Sequence, residues 1–421
     1  MERIKKRLSA GFMILTLTVS GCSASTQEEP KNSGGSGKSS AMESEADADA
    51  GSRQDADKGY DLPISQSAKE EAEADCRKAM ETIRAIYAEA DKGDALNPMP
   101  DREVIFEMYE ALQETGWPVT ASGFHYIMGN DEKMEAFLEN CLDGTEGELT
   151  LYRINAGGGL NRSHFLFDGT DMYVTDTAAA WNAENSPVIS NHSLHRIKEW
   201  KYTEKGWFSY EYCLPEFPEV TEIANGNNLL RVRPMPEEYI KMAETYLLPI
   251  GYMGNNLLRS NWDGDHLEEL DYNGLYEYLY VLKNQEAMAE EAYAGGIPKE
   301  EFENLITEYL PVSAKDLAGY AVFDAEKQTY GWEHLGPVTY AANRFSSSIP
   351  EVREIKDNPD GTLEVSIDAV CQAMGEDCVI SHILTMRILE DGGVRYLGNR
   401  VLGDGLKQIT EYQYRLPKDQ R

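Results

Sequence analysis

The sequence predicts an α+β protein in two parts, held on a tether behind an amino-terminal export signal. Three observations predict this. The apolar period shifts from the helical value of about 3.6 residues to the strand value of about 2, and does so twice along the chain, each time with helices grouped before strands. Roughly 350 residues follow the polar amino-terminal stretch, more than one hydrophobic core usually serves. That stretch itself offers a short apolar run, one cysteine and then almost nothing to bury.

The first element is the run from Leu8 to Val19, uncharged and preceded by Arg3, Lys5, Lys6 and Arg7. Crossing a bilayer as a helix takes about 20 apolar residues, so this run is too short to remain as a span and has the layout of a signal peptide. It ends in Ser20, Gly21 and Cys22, a sequence that resembles the lipobox of bacterial lipoproteins. The resemblance implies cleavage before Cys22 and a diacylglyceryl group on its sulfur, since stable anchoring takes more than one acyl chain. The expected partner of this end of the molecule is therefore the lipid bilayer, and the expected location is the outer face of the cell membrane.

Residues 22–66 form the second element, a Ser-, Gly-, Ala- and acid-rich tether that reads as disordered. A flexible chain of that length spans on the order of 35–40 Å. Its GGSGKSS stretch imitates the end of a phosphate-binding loop, but the pattern G-x-x-x-x-G-K-[ST] places Asn32 where the first glycine belongs. Nucleotide binding is not expected there.

The first folded part is assigned to residues 67–233. Ser67 and Glu70 form a capping box ahead of Cys76, Met80, Ile83 and Tyr87 at helical spacing. A second helix follows Asp101 and a third follows Asp131, the latter with Met134, Phe137, Leu138 and Cys141 inward. Strands then come at Glu148–Ile154, Ser163–Phe167, Asp171–Thr175, His195–Tyr202 and Trp207–Cys213, separated by Gly-containing turns. The second part, residues 234–421, repeats the order. Helical runs end at Pro249, Gly296 and Pro311, Ser313 and Asp316 cap a short last helix, and strands are expected around Tyr320–Asp324, Val352–Ile355, Thr362–Cys371, Cys378–Leu389, Val394–Asn399 and Ile409–Arg415. Such an order suits a curved antiparallel sheet wrapped on a helix, the shape of nuclear transport factor-like and cystatin-like folds.

The stretches AGGGLNRSHFLFDGTDMYV, YTEKGWFSYEYC, EEFENLITEYLPVSAKDLAGYAVFD and NPDGTLEVSIDAVC are similar to an uncharacterised family of Gram-positive lipoproteins with this layout. The resemblance implies lipidation and assigns no activity.

Charge narrows the partners. The net charge of −34 becomes −37 once residues 1–21 are removed, which excludes nucleic acid, whose binding needs a basic footprint. Five of the six cysteines remain beside the lipidated one, an odd number without any C-x-x-C. Cys371 and Cys378 either close a hairpin as a disulfide or stay reduced in their strands. His192 and His195, three apart, lack a third ligand, and His382 reads as a hydrogen-bonded core residue. Asp263, Asp265 and Glu269 fail calcium-loop spacing and read as a solvated turn. No metal or cofactor is expected and no catalytic motif is legible.

Aromatic content is the remaining lead. Trp181, Trp207, Trp262 and Trp332 are the candidate ligand-binding residues, because exposed indoles make platforms for sugars and peptides. The function expected is a non-catalytic module binding a small molecule, glycan or protein. The alternative is a hydrolase of envelope or glycan polymers that uses a carboxylate pair.

Overall fold

The computed structural model describes residues 58–93, 99–220, 224–289, 293–333, 335 and 344–416. The signal run, Cys22, the tether up to residue 57 and the GGSGKSS stretch lie outside the described residues. The fold is α+β, and its sheets belong to two distinct parts.

The first part opens with α1 (Gln66–Glu89) and α2 (Arg102–Gln113), followed by β1 (Val119–Ala121) and α3 (Asp131–Leu142). The cap of α1 is Ser65, whose hydroxyl accepts the Ala68 N–H at 3.2 Å, two residues earlier than the expected Ser67. Residues 58–65, assigned to the tether by composition, run beside a strand instead: Gly59 is buried and its carbonyl accepts the Arg196 N–H at 2.7 Å. A polar composition does not reveal that a backbone is satisfied by a neighbouring sheet.

Strands β2 (Gly147–Ile154), β3 (Leu160–Phe167), β4 (Met172–Trp181), β5 (Pro187–Tyr202), β6 (Trp207–Tyr212) and β7 (Asn227–Arg231) form an antiparallel meander, with β1 added in parallel on β2. The sheet is therefore mixed, and one short strand precedes the third helix, contrary to the expected order. Register shifts between Ala178 and Ala179 and between Ile197 and Glu199 bend the sheet, so that β5 pairs with β4 along its first half and with β6 along its second. One face packs on α1 and α2 through Met80, Ile83, Met108, Leu112, Tyr152 and Leu160. The opposite face closes on α3 through Met134, Phe137, Leu138, Phe165, Val174 and Phe208. Each fully buried side chain of this kind contributes about 1.5–3 kcal/mol.

In the second part α4 (Glu237–Met242) continues into a π-helical turn at Ala243–Leu247, followed by α5 (Tyr272–Asn284), β8 (Ile297–Pro298), α6 (Lys299–Tyr309), α7 (Ala314–Tyr320), β9 (Phe323–Asp324) and β10 (Thr329–Tyr330). A four-stranded meander then runs through β11 (Ile349–Asp357), β12 (Leu363–Val370), β13 (Ser381–Ile388) and β14 (Val394–Val401), with α8 (Gly405–Gln408) after it. Its inner face, with Val365, Ile367, Leu384, Met386 and Tyr396, packs on the helices around Leu275, Phe302 and Ile306. Two expected strands are corrected. Tyr320 ends α7, leaving Phe323–Asp324 as the strand, and Ile409–Arg415 belongs to no sheet.

The parts meet at β6, β7 and β11. Glu351, fully buried, accepts the Trp207 indole N–H at 2.6 Å and pairs with Arg231 at 3.0 Å and Arg353 at 2.9 Å. Lys205 pairs with Asp368 at 2.6 Å, and the Tyr126 hydroxyl donates to the Pro350 carbonyl at 2.5 Å.

Candidate functional site

The four candidate tryptophans are dispersed. Trp181 stacks on Tyr87 with centroids 4.7 Å apart and donates to the Gly158 carbonyl at 2.8 Å. Trp207 is spent on Glu351, and Trp332 packs on the core of the second part. Trp262 is 3 % exposed and donates to the Leu257 carbonyl at 2.8 Å, while its backbone exchanges hydrogen bonds with Asn399. Of the four, Trp262 lines a cleft.

That cleft, of about 520 Å³, lies between the 261–269 loop and the outer face of β12, β13 and β14, lined by Trp262, Asp263, His266, Glu269, Glu364 and Arg400. Its acids are already used. Asp263 accepts the Asp265 N–H at 2.9 Å and pairs with His266 at 2.8 Å, and Glu364 pairs with Lys356 at 3.0 Å. The hydrogen bond from His266 holds the Asp263 carboxyl below its usual range, and the same contact raises His266. Asp263 and Asp265 thus form the expected turn.

A second cleft, of about 340 Å³, opens where α1, the end of α2 and the start of α3 meet the edge of β2, and it collects groups from far along the chain. Trp117 leaves the α2 turn between Gly116 and Pro118, and its ring lies 4.9 Å from that of Tyr152 on β2. Helical spacing on α1 turns Cys76, Ala79 and Met80 inward and leaves Lys78 outside, its ammonium 5.3 Å from the Trp117 centroid. Lys133, in the first turn of α3, reaches back to the Gly116 carbonyl. Thr150 and His164, paired across β2 and β3, share a hydrogen bond at 2.9 Å. Burial, then the nearby Arg162 guanidinium, lowers His164, so the imidazole is neutral near pH 7.

Of the two acids of this cleft, Asp75 pairs with the Arg162 guanidinium at 2.8 Å, while the exposed Glu148 lies 3.6 Å from the neutral His164. Lys78 and Lys133 have no carboxylate within 4.0 Å among the described residues. The cleft therefore offers an aromatic wall and two uncompensated ammonium groups, an arrangement suited to an anionic, partly apolar ligand.

The remaining candidates have structural partners. His192 and His195 both lie on β5, where an odd spacing puts them on opposite faces; His192 bonds Thr177 at 3.1 Å and His195 packs on Tyr212. Among the described residues no group of three or more His, Cys, Asp or Glu side chains is placed to hold a metal ion. Cys371 and Cys378 are free thiols. His382 is a core residue as expected, held between Tyr252 at 2.8 Å and Asn399 at 2.6 Å.

Fold and cleft together define a two-part α+β protein with a ligand-sized recess on a sheet edge. Residues 69–415 match DUF6070, a family of unknown function, and the chain belongs to that family. The match spans both parts and both clefts. No curated protein and no solved structure was found to match the chain.

Proposed function

We propose that this protein is a lipid-anchored extracytoplasmic binding protein, held at the cell membrane through acylated Cys22 and taking its ligand in the Trp117–Tyr152 cleft. The observation that carries the reading is the pair of uncompensated ammonium groups, Lys78 and Lys133, beside an aromatic wall in a chain of net charge −34. Anchoring is supported by the order of basic residues, short apolar run, small residues and cysteine at the amino terminus. Among the described residues no helix is long and apolar enough to cross a membrane.

The alternative, hydrolysis through a carboxylate pair, would draw on Asp263, Glu269 and Glu364 in the other cleft. A glycosidase acid must stay protonated, so its site raises the carboxyl pKa, whereas His266 lowers that of Asp263. Binding is therefore the reading favoured here.

The test uses indole nitrogen labelling. Six tryptophans give six indole signals, and Trp117→Phe identifies the one that matters. Titration with soluble muropeptides, oligosaccharides and short peptides is expected to move the Trp117 signal ahead of the other five. A ligand that saturates the protein while moving only other signals contradicts the assignment.

A further inference from the structure

The outer edge of β2 is only half used. β1 pairs with Tyr152, Arg153 and Ile154: Tyr152 donates its N–H to the Pro118 carbonyl at 3.0 Å, and the Ile154 carbonyl accepts the Ser122 N–H at 2.8 Å. Backbone groups of alternate residues in a strand face the same side. Thr150 and Glu148, two and four residues before Tyr152, therefore direct their N–H and C=O groups to that same outer side. Leu149 and Leu151 face β3, opposite Phe165 and Ser163. Before Pro118 the chain turns away through Trp117 and Gly116, and among the described residues no backbone hydrogen bond reaches the outward groups of Glu148 and Thr150.

This gap in the ladder opens onto the Trp117–Tyr152 cleft, whose lining includes Glu148, Leu149 and Thr150. Proteins usually blunt a free edge by covering it or turning charge inward, but here the edge borders a recess with an aromatic wall. Two N–H and two C=O groups in strand geometry match a polypeptide backbone in a way they match no sugar. Charge selects among polypeptides. Lys78 and Lys133 stand beside the gap without carboxylate partners, and of the acids there Asp75 is paired with Arg162, which leaves the exposed Glu148 as one carboxylate against two ammonium groups.

We infer that the open edge of β2 binds an extended acidic peptide as an added strand. Its backbone pairs with Glu148 and Thr150, its acidic side chains meet Lys78 and Lys133, and an apolar neighbour packs on Trp117 and Tyr152. The inference rests on the reading of this cleft as the ligand site and narrows the ligand to a peptide.

The test uses capped, fluorescent octapeptides of alternating Glu and Val, or of Lys and Val, titrated into the full chain. The Glu/Val peptide is expected to bind at least about tenfold more tightly than the Lys/Val peptide at low salt, about 1.4 kcal/mol. Methylating the backbone nitrogens of one alternate set in the Glu/Val peptide is expected to weaken binding about tenfold, and methylating the other set to leave it unchanged. Joint Lys78→Glu and Lys133→Glu substitution is expected to invert the preference. Glu148→Pro removes an outward N–H that β3 does not use and is expected to weaken binding with the far-ultraviolet circular dichroism unchanged.

Equal tolerance of both methylation patterns would overturn strand addition, as would affinity indifferent to the two lysines. So would a dimer through this edge, dispersed by Glu148→Pro, in a protein that binds neither peptide. If oligosaccharides move the Trp117 signal and neither octapeptide does, the peptide inference falls while the binding reading of the cleft stands.

Discussion

At the scale of single residues, the buried polar groups carry the sharpest consequences. His382 is fully buried on β13, and because the Asn399 oxygen accepts from Nδ1, the neutral ring carries its proton there and receives the Tyr252 hydroxyl proton at Nε2. Burial pushes its pKa down to about 4. The unfolded chain binds a proton at this position below about pH 6.5 and the native protein does not until about pH 4, so stability falls as pH drops through that window. At pH 4 the penalty is on the order of 3 kcal/mol. His125 and His164 are shifted the same way, each chiefly by burial, and add to the trend. A His382→Gln protein is expected to be less stable than the native one at pH 7 by urea unfolding, with most of that difference gone at pH 4. A difference constant across the range would contradict the assignment. Single residues also show what sequence reading can reach: His382 is legible as a core histidine because its neighbours Ile380, Leu384 and Met386 share its strand parity.

Among the elements, the β5–β6 turn shows how local geometry serves the junction between the parts. Gly206 has φ +87°, and a Cβ there would stand 2.3 Å from that of Arg233. Its carbonyl accepts the Val232 N–H at 2.9 Å, and the next residue is Trp207, whose indole N–H is bound by Glu351. Gly206→Ala is expected to cost more than about 1 kcal/mol, read as a lower urea midpoint. An unchanged midpoint would contradict this role for the turn. Other elements are legible where one physical cause dominates. The inward positions of α3, Met134, Phe137, Leu138 and Cys141, are all buried, and Ser313 does cap α7 by accepting the Asp316 N–H. Ile409–Arg415 imitates a strand for an instructive reason. Alternation reports an extended chain with one side engaged, and here side chains supply that engagement: the Tyr412 hydroxyl and the Arg415 N–H both reach Asp271, at 2.7 and 2.8 Å. Nothing in the pattern distinguishes that from a ladder. β7 escapes sequence reading because NNLLR is short and led by asparagines, residues that favour turns.

For the whole molecule, the two parts are joined by charge as well as by apolar packing. Arg231 and Glu351 are 5 % and 0 % exposed at their side chains, so removing Glu351 leaves the buried Arg231 charge without its carboxylate. Glu351→Ala is expected to cost about 3–5 kcal/mol in urea unfolding, whereas Glu364→Ala, at an exposed pair with Lys356, is expected to cost at most about 1 kcal/mol. Similar effects at the two positions would contradict this account of the junction. The candidate site is illegible in the sequence at this scale. Lys78, Trp117, Lys133, Tyr152 and His164 come from three helical regions and two strands, and no local period or motif joins them. A single local hint exists in Gly116-Trp117-Pro118, an indole in a turn after a helix that has already buried its own apolar face. The proposed anchor, by contrast, rests on a linear pattern, the lipobox-like order of residues 3–22.

The proposed role depends above all on that anchor, because it sets which ligands the cleft can meet. The most direct measurement is the intact mass and amino-terminal peptide of the protein extracted from membranes of its native host. The expected result is a chain beginning at Cys22, with a diacylglyceryl group on the sulfur, and release into the medium on Cys22→Ser substitution. A chain that retains Met1, or that carries an unmodified Cys22 thiol while remaining membrane-bound, would contradict it.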